Sequence, residues 1–558
     1  MSIMENGEIS TMKVLLGAIL VVLAHLLHVF VLKPRSLRAK LQKQGIDGPS
    51  PHFYFGNISE MKSLLLQAHS LKDGVPTSIS HNWLSTVFPH ILKWRKQYGP
   101  IYLFSSGSIQ WLMVTDIEMV KEIVLNTSLI LGKPSFLSKD NRPLLGKGIL
   151  SSSGLFWAHQ RKIIAPELYL DKMKTKVGMI VDSTNIMLRS WETKLEKDGV
   201  SEIKVDQDLR NLSGDIIARA CFGSNYVEGR EIFSKLRELQ NIICKIFAGI
   251  PGFRYLPNKS NRQMWRLEKE ISSKISKLIK QRQIDAHDEQ DLLQMILDSA
   301  KKCESDGDSF LPNATSRERF MIDNCKNIFF AGYETTAITT SWCLMLLATH
   351  PDWQDRVRAE VLKICGKDGI VDANQLKSMK TVCFYTIYVL KSHVPIHYVL
   401  ARAIKWVGRS RFGLVDPLTM VIQETLRLYP PALSVVRQAF EDINFKGIQI
   451  PKGMNLQIPM PILHQDPELW GHDAHKFNPE RFANGVHGAC KIPQVYMPFG
   501  MGPRVCLGQH LAMVELKVIL SLILLKFQFS LSSSYCHSPS YHMLVEPGHG
   551  VALHMTKI

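Results

Sequence analysis

The longest apolar run stands near the start of the chain. From Val14 to Leu32 only His25 and His28 are polar, and a helix that crosses a bilayer needs about 20 such residues. Lys33, Pro34 and Arg35 follow at once, with Arg38, Lys40 and Lys43 close behind, whereas Lys13 alone offsets Glu5 and Glu8 on the other side. The positive-inside rule then places the C-terminal side in the cytosol. A cleaved signal peptide would end in small residues rather than a basic run with proline, so residues 1–33 read as an uncleaved anchor. Residues 34–52 read as a basic, Pro-rich linker. Within it Gly48-Pro49-Ser50-Pro51 is a stiff, non-helical spacer that would hold the globular body, residues 53–558, off the membrane.

In the body the pattern alternates between two periods. Ile101 to Phe104 and Ile109 to Val114 are short β-type runs joined by Ser105-Ser106-Gly107-Ser108, which predicts a hairpin. Helical spacing dominates from about Asp171 to Gln283 and from Arg317 to Ile364, and short strands with frequent Gly and Pro return toward the C-terminus. Ile328 to Ala348 is long enough to be a second span. It contains Glu334 and a cluster of Thr and Ser, however, and charge is expensive in lipid. A buried central helix from about Arg317 to Ala348 is the better reading. No internal repeat is visible. The fold class is mainly α with a minor β portion.

Composition narrows the function. Apolar residues make up 45% and charged residues 21% of 558, which excludes a disordered or disulfide-stapled chain. The net charge of +17 is concentrated in the run after the anchor and in Cys383 to Leu418, neither with the basic–aromatic pattern of a nucleic-acid module. The ten cysteines form no C-x-x-C pair, which fits free thiols in a reducing compartment and not zinc. Five glycosylation sequons, at Asn57, Asn126, Asn211, Asn258 and Asn313, should stay unmodified if the body is cytosolic.

One cysteine stands apart. The segment Pro498-Phe499-Gly500-Met501-Gly502-Pro503-Arg504-Val505-Cys506-Leu507-Gly508 has the spacing F-x-x-G-x-R-x-C-x-G. Its glycines permit tight turns and leave amide hydrogens free to point at the sulfur. Arg504 can favour a thiolate over a thiol, and a helix starting near Gln509 adds positive potential. This loop resembles the haem-binding loop of cytochromes P-450, with Cys506 as axial thiolate ligand of haem b and Phe499 and Arg504 beside it. A thiolate ligand pushes electron density to iron and favours O–O cleavage.

Further motifs agree with that resemblance. Glu424-Thr425-Leu426-Arg427, then Tyr429-Pro430-Pro431 and Phe477-Asn478-Pro479-Glu480-Arg481-Phe482, are similar to the family's Glu-Arg-Arg core. Glu424, Arg427 and Arg481 would lock the Cys506 loop. Ala331-Gly332-Tyr333-Glu334-Thr335-Thr336 is similar to the family's oxygen-activation sequence. There Ala and Gly leave room for O2, and Glu334 and Thr335 would relay protons as general acids. Read alone, the same cluster is a helix with Thr bonding back to a carbonyl. Trp157 and Arg161, at i and i+4, match a face that meets a haem propionate, and Arg437 matches another propionate position. His159 and His464 are assigned no role.

The resemblance breaks at Cys383 to Leu418. Joining Val382 directly to Thr419 would set Val382, Val421, Ile422 and Leu426 at i, i+3, i+4 and i+8, an unbroken apolar stripe. The segment lacks the Gly, Ser and Pro density of a solvated loop. It reads as a retained intron, with a genuine loop as the alternative.

The resemblance implies a membrane-anchored monooxygenase of the endoplasmic reticulum, single-pass, with its catalytic domain cytosolic. It would insert one oxygen atom from O2 into a lipophilic small molecule. No nicotinamide or flavin fingerprint is present, so NADPH-derived electrons would come from an NADPH–cytochrome reductase. Leu32-Lys33-Pro34-Arg35-Ser36-Leu37-Arg38 and Gln44-Gly45-Ile46-Asp47-Gly48-Pro49 are similar to plant members. The fuller match is to the branch that oxidises gibberellins and related ent-kaurane diterpenoid acids. Candidate substrate-lining residues are Phe329, Phe330, Ala331, Leu433 and Val545. The rival readings are an O2-independent haem-thiolate isomerase or dehydratase, and a haem-free inactive product of the retained intron.

Overall fold

The computed structural model describes residues 2–70, 79–198, 201–223, 226–245, 249–250, 252–285, 291–305, 313–365 and 415–558. The atypical segment therefore lies outside the described residues apart from its last four, 415–418. Helix α1 (Ser2–Leu27) continues through one wide turn, His28–Leu32, into α2 (Lys33–Gln42). Residues 13–42 are the one described stretch of helix long and apolar enough to cross a membrane, with none of its apolar window buried.

The stretch after the apolar helix is not a free spacer. Pro34 follows the wide turn, at the second position of α2. Leu41, four residues after Leu37, is fully buried in the body. Arg38 donates to the carbonyls of Gly48 and Pro49 at 2.8 and 3.0 Å, which folds residues 46–51 back. A Cβ on Gly48 would lie 1.8 Å from the Leu103 carbonyl oxygen, so the chain lies against the first strand. The apolar face of α2, masked in sequence by its basic residues, docks this segment on the body.

The predicted hairpin forms. Strands β1 (Ile101–Ser106) and β2 (Ile109–Val114) pair antiparallel from Ile101↔Val114 to Ser106↔Ile109, with Gly107 at φ +57° in the two-residue turn. Three further strands complete a five-stranded sheet in the order β1-β2-β6-β5-β3: β3 (Leu131–Gly132), β5 (Ser434–Ala439) and β6 (Asn455–Pro459). A strand that the helical pattern hid, β4 (Ser201–Lys204), pairs with β10 (Ala552–Lys557), which also pairs with β7 (Phe527–Leu531). A two-stranded hairpin, β8 (Pro539–Tyr541) and β9 (Val545–Pro547), precedes β10.

The helices surround one central rod. Asn313 caps it in a reciprocal capping box with Ser316. In order, the helices that build the site are α3 (Gly154–Ile164), α4 (Val205–Phe222), α5 (Tyr226–Cys244), the rod α6 (Ala314–Thr349), α7 (Pro417–Leu428) and α8 (Gln509–Lys526). The rod is about 54 Å long at 1.5 Å per residue. From Phe320 to Leu347 every residue of α6 is buried except Ala331, Gly332 and Thr335. It is a core helix, as its charges require, and not a second span.

Three of the buried histidines, those with the lowest values among the described residues, make the fold acid-sensitive. Burial holds His81 and His464 down at about 3 and His90 at about 4. His464 is fully buried and its Nε2 accepts from the Met497 amide at 3.1 Å, at the entry to the Cys506 loop. The unfolded value is near 6.5. Folded values below it mean that stability is whole above about pH 6.5 and falls as the pH drops toward the folded values. Each such histidine costs about 2 kcal/mol between pH 6.5 and pH 5. Urea unfolding at pH 7.5 and 5.0 should show this loss. His464→Gln, which can accept but cannot ionise in this range, should reduce it by one histidine's share; an unchanged pH dependence would refute the assignment.

Candidate functional site

The cysteine loop is shaped by its backbone. The Cys506 amide donates to the Phe499 carbonyl at 2.8 Å, Gly500 to Met497 at 2.8 Å, and Val505 to Gly502 at 3.1 Å. Gly500 and Gly502 hold φ values of +72° and +70°, and a Cβ on Gly502 would meet the Val124 carbonyl oxygen at 2.1 Å. The loop enters α8 at Gly508. The Gly508 and Gln509 amides favour the thiolate, but burial outweighs them and pushes the Cys506 thiol up. The Cys506 side chain is nevertheless exposed. A side chain that is both exposed and enclosed by protein faces an internal space.

The role expected of Arg504 passes to another residue. The charge that acts on Cys506 is that of Arg161, which also donates to the Val505 carbonyl at 2.9 Å. Arg504 has its contacts elsewhere. It stacks on Trp157 at 4.1 Å, with Arg161 at 5.7 Å from the same ring, and donates to the Ser152 carbonyl at 3.1 Å. The side chain of a residue two before the cysteine follows the turn, and this turn aims it at α3.

Four cations share this region. Burial, then the charges of Arg437 and Arg504, push Lys133 down to about 7. Burial, then Arg437 and Arg161, push Arg504 to about 9, and burial alone pushes Arg437 to about 10. Among the described residues no carboxylate pairs with Lys133, Arg161, Arg437 or Arg504, and Arg504 Nη2 is buried without a partner. Unpaired buried charge is costly. The cluster fits a group that brings two carboxylates to the space beside Cys506, as the propionates of haem would. Lys133 was not found in the sequence. A lone Lys in Leu131-Gly132-Lys133-Pro134 carries no signal until β3 pairs with β5 at Leu131↔Ala439 and sets it beside Arg437.

The middle of α6 is open only at Ala331, Gly332 and Thr335. Ala331 and Thr335, one turn apart, share one face. The Thr335 hydroxyl donates to the Ala331 carbonyl at 2.8 Å. Glu334 lies on another face, fully buried. Its Oε2 is 3.4 Å from Arg210 Nε on α4 and 3.2 Å from Arg237 Nη1 on α5, while its Oε1 has no partner. Burial raises its pKa more than the two arginines lower it. Of the candidate lining residues, Phe329 is plain core, stacked 4.1 Å from Phe222 and edge-on to Phe233 at 5.3 Å. Val545 is fully buried too, and its carbonyl accepts from Trp342 Nε1 at 3.1 Å. Phe330 and Leu433 are nearly buried, which leaves Ala331 on the open face.

The Glu-Arg-Arg group assembles. Arg427 is fully buried and donates to both oxygens of Glu424 at 2.7 and 2.8 Å, and to the carbonyls of His464, Ala474 and Lys476. Arg481 Nε lies 3.5 Å from Glu424 Oε1, and the Asn478 amide donates to that oxygen at 2.9 Å. The group ties α7 to the segment that leads into the cysteine loop. The start of α7 uses four residues of the atypical segment. The Val415 amide donates to the Ala483 carbonyl, Asp416 caps the Thr419 amide at 2.7 Å, Pro417 takes the first turn and Leu418 is fully buried.

Comparison with known proteins places this arrangement. A family model described as Cytochrome P450 matches residues 75–383 and 415–553. The chain is 47% identical to Cytochrome P450 714C2 of Oryza sativa subsp. japonica, over 94% of this chain and 93% of that protein. It is 42% identical to Cytochrome P450 714A2 of Arabidopsis thaliana, over 93% and 92%. To Cytochrome P450 714B3 of Zea mays it is 41% identical, over 100% and 98%.

Proposed function

The chain belongs to the cytochrome P450 family and is a P450 monooxygenase with a haem cofactor, and from that premise we propose that it oxidises gibberellin-type or related ent-kaurane diterpenoid acids. The observation that carries the monooxygenase site is the pairing of an exposed but enclosed Cys506 with four cations that lack a carboxylate partner. The diterpenoid reading rests on the resemblance of the chain to the plant branch acting on such acids.

Each residue has a task in this reading. Cys506 would hold the haem iron. Arg161, Arg437, Arg504 and Lys133 would neutralise the propionates, with the Arg504 and Arg161 guanidinium groups 4.1 and 5.7 Å from the Trp157 ring. The haem, when bound, supplies the binding and reductive activation of O2. Ala331 keeps the helix face low enough for a small molecule, and Thr335 presents a hydroxyl there. Glu334 holds a proton behind that face and passes it toward Thr335. Glu424, Arg427 and Arg481 keep the loop in register. The apolar helix up to residue 33 anchors the protein in the endoplasmic reticulum membrane, with the body in the cytosol. Electrons arrive from an NADPH–cytochrome reductase, whose acidic docking face the basic balance suits.

Microsomes carrying this chain and the reductase test the proposal against a panel of gibberellin and ent-kaurane acids. The expected result is a product one oxygen atom heavier that requires both NADPH and O2. Turnover that survives without NADPH would instead identify an isomerase or dehydratase. A haem-loaded protein that converts none of the acids would remove the diterpenoid reading.

A further inference from the structure

Behind the open face of α6 lies a second carboxylate, Glu546, on strand β9 of the C-terminal hairpin. It competes with Glu334 for the same two arginines. Arg237 Nη2 lies 2.7 Å from each oxygen of Glu546, and Arg210 Nη2 lies 2.6 Å from Oε2. Glu334 is left with longer contacts, 3.4 and 3.2 Å, both to one oxygen. Its second oxygen is buried without a partner. His542 Nδ1 is 2.9 Å from Glu546 Oε1, and Gln240 on α5 donates to the His542 carbonyl at 2.6 Å, so the hairpin is fastened to α5.

The competition has a direction. A guanidinium has a limited set of donors in a fixed fork, and those committed to Glu546 cannot also close on Glu334. Charge–charge attraction also falls with distance. Although burial raises the Glu546 carboxyl, its bonds from His542 and Arg237 and the charge of Arg210 bring it to about 2, while Glu334 goes the other way. The ionisable groups facing Glu334 are Arg210 from α4, Arg237 and Cys244 from α5, His542 and Glu546 from the hairpin, and Tyr333 on its own helix. Glu515 on α8 meets Thr336, on another face of the rod.

We propose that Glu546 is a positioning residue for Glu334: by occupying Arg210 and Arg237 with both of its oxygens, it keeps them from clamping Glu334 and leaves Glu334 Oε1 ready to hold a proton. This rests on the reading of Glu334 as the proton-holding residue of the oxygen-activating helix. Nothing in the local sequence Leu544-Val545-Glu546-Pro547 announces such a role, because the partners lie on helices more than 300 residues away.

Infrared spectroscopy of the haem-loaded full chain tests the proposal. As the pH is lowered the protein should develop a carboxylic-acid carbonyl band that Glu334→Gln abolishes. In Glu546→Gln the two arginines have one carboxylate left between them, and the band should titrate away at a pH at least one unit lower, a tenfold loss of proton affinity. Removing a competing cation together with Glu546, in the double variant Arg237→Gln, Glu546→Gln, should restore the parental titration. A merely structural role would not produce that rescue. It also keeps the test open if Glu546→Gln alone fails to load haem. A parent without the Glu334 band, a titration unmoved in Glu546→Gln, or a double variant without rescue would each overturn the proposal. If the infrared shifts are as expected but Glu334→Gln turns over with an unchanged pH profile, the positioning stands and the relay reading of Glu334 fails.

Discussion

Replacing Cys506 with serine removes the red-shifted thiolate Soret band from the reduced carbon monoxide difference spectrum, and NADPH-dependent turnover goes with it. The structure makes this a test of ligation and not of folding. The loop is held by backbone bonds from Cys506 to Phe499 and from Gly500 to Met497, and by two glycines at positive φ. None of these uses the sulfur, and serine is close to cysteine in size. The variant should therefore keep its secondary structure and unfolding midpoint while losing the spectral signature. A thiolate band that persisted would assign the iron to another cysteine. Cys490 is a poor substitute, because burial pushes its thiol up to about 11 and it bonds the Ile492 carbonyl.

The same spectrum, recorded on the parent chain, tests the atypical segment. No band would mean that the chain as written does not load haem. The shortened chain to try next should keep residues 415–418, since they cap and bury the start of the helix that carries Glu424. It should lack 384–414, the stretch over which the family match is interrupted.

Arg427→Ala is expected to cost about 3–5 kcal/mol and to yield protein without haem. Arg427 makes five hydrogen bonds in full burial, two to Glu424 and three to carbonyls on either side of the segment leading to Arg481. Its loss strands three carbonyls and leaves Glu424 with Arg481 at 3.5 Å. Arg427→Lys should rescue little, because an ammonium cannot reproduce the planar fork. Urea unfolding together with haem content checks the expectation. A variant as stable as the parent would show that the group does not hold the loop.

Local signals carried much of this protein. The candidate anchor helix was legible because its apolar run, Val14 to Leu32, is contiguous and free of acidic and basic residues other than His25 and His28. The cysteine loop was legible because its glycines, arginine and cysteine act within eleven residues, and the hairpin of β1 and β2 because its turn and both strands are contiguous. The rod α6 was legible too, since its apolar run and its charges lie within its own sequence. For each of these the physical cause and the element sit in the same stretch of chain.

What the sequence could not reveal depends on which distant elements pack together. Strand β4 reads as helix until β10, some 350 residues later, offers it a partner. The linker reads as a tether until the body meets the apolar side of α2. Arg161, from a helix more than 300 residues away, donates to the Val505 carbonyl beside Cys506, whereas Arg504 lies on Trp157, because the direction of a side chain is set by the turn and not by its distance in sequence. Lys133 joins Arg437, and Glu546 meets Glu334, only after sheet and hairpin have closed over the rod. Periodicity, caps and turns are short-range properties and the sequence by itself determines them. The balance of buried charge is a sum over neighbours, and only the tertiary structure decides who those neighbours are.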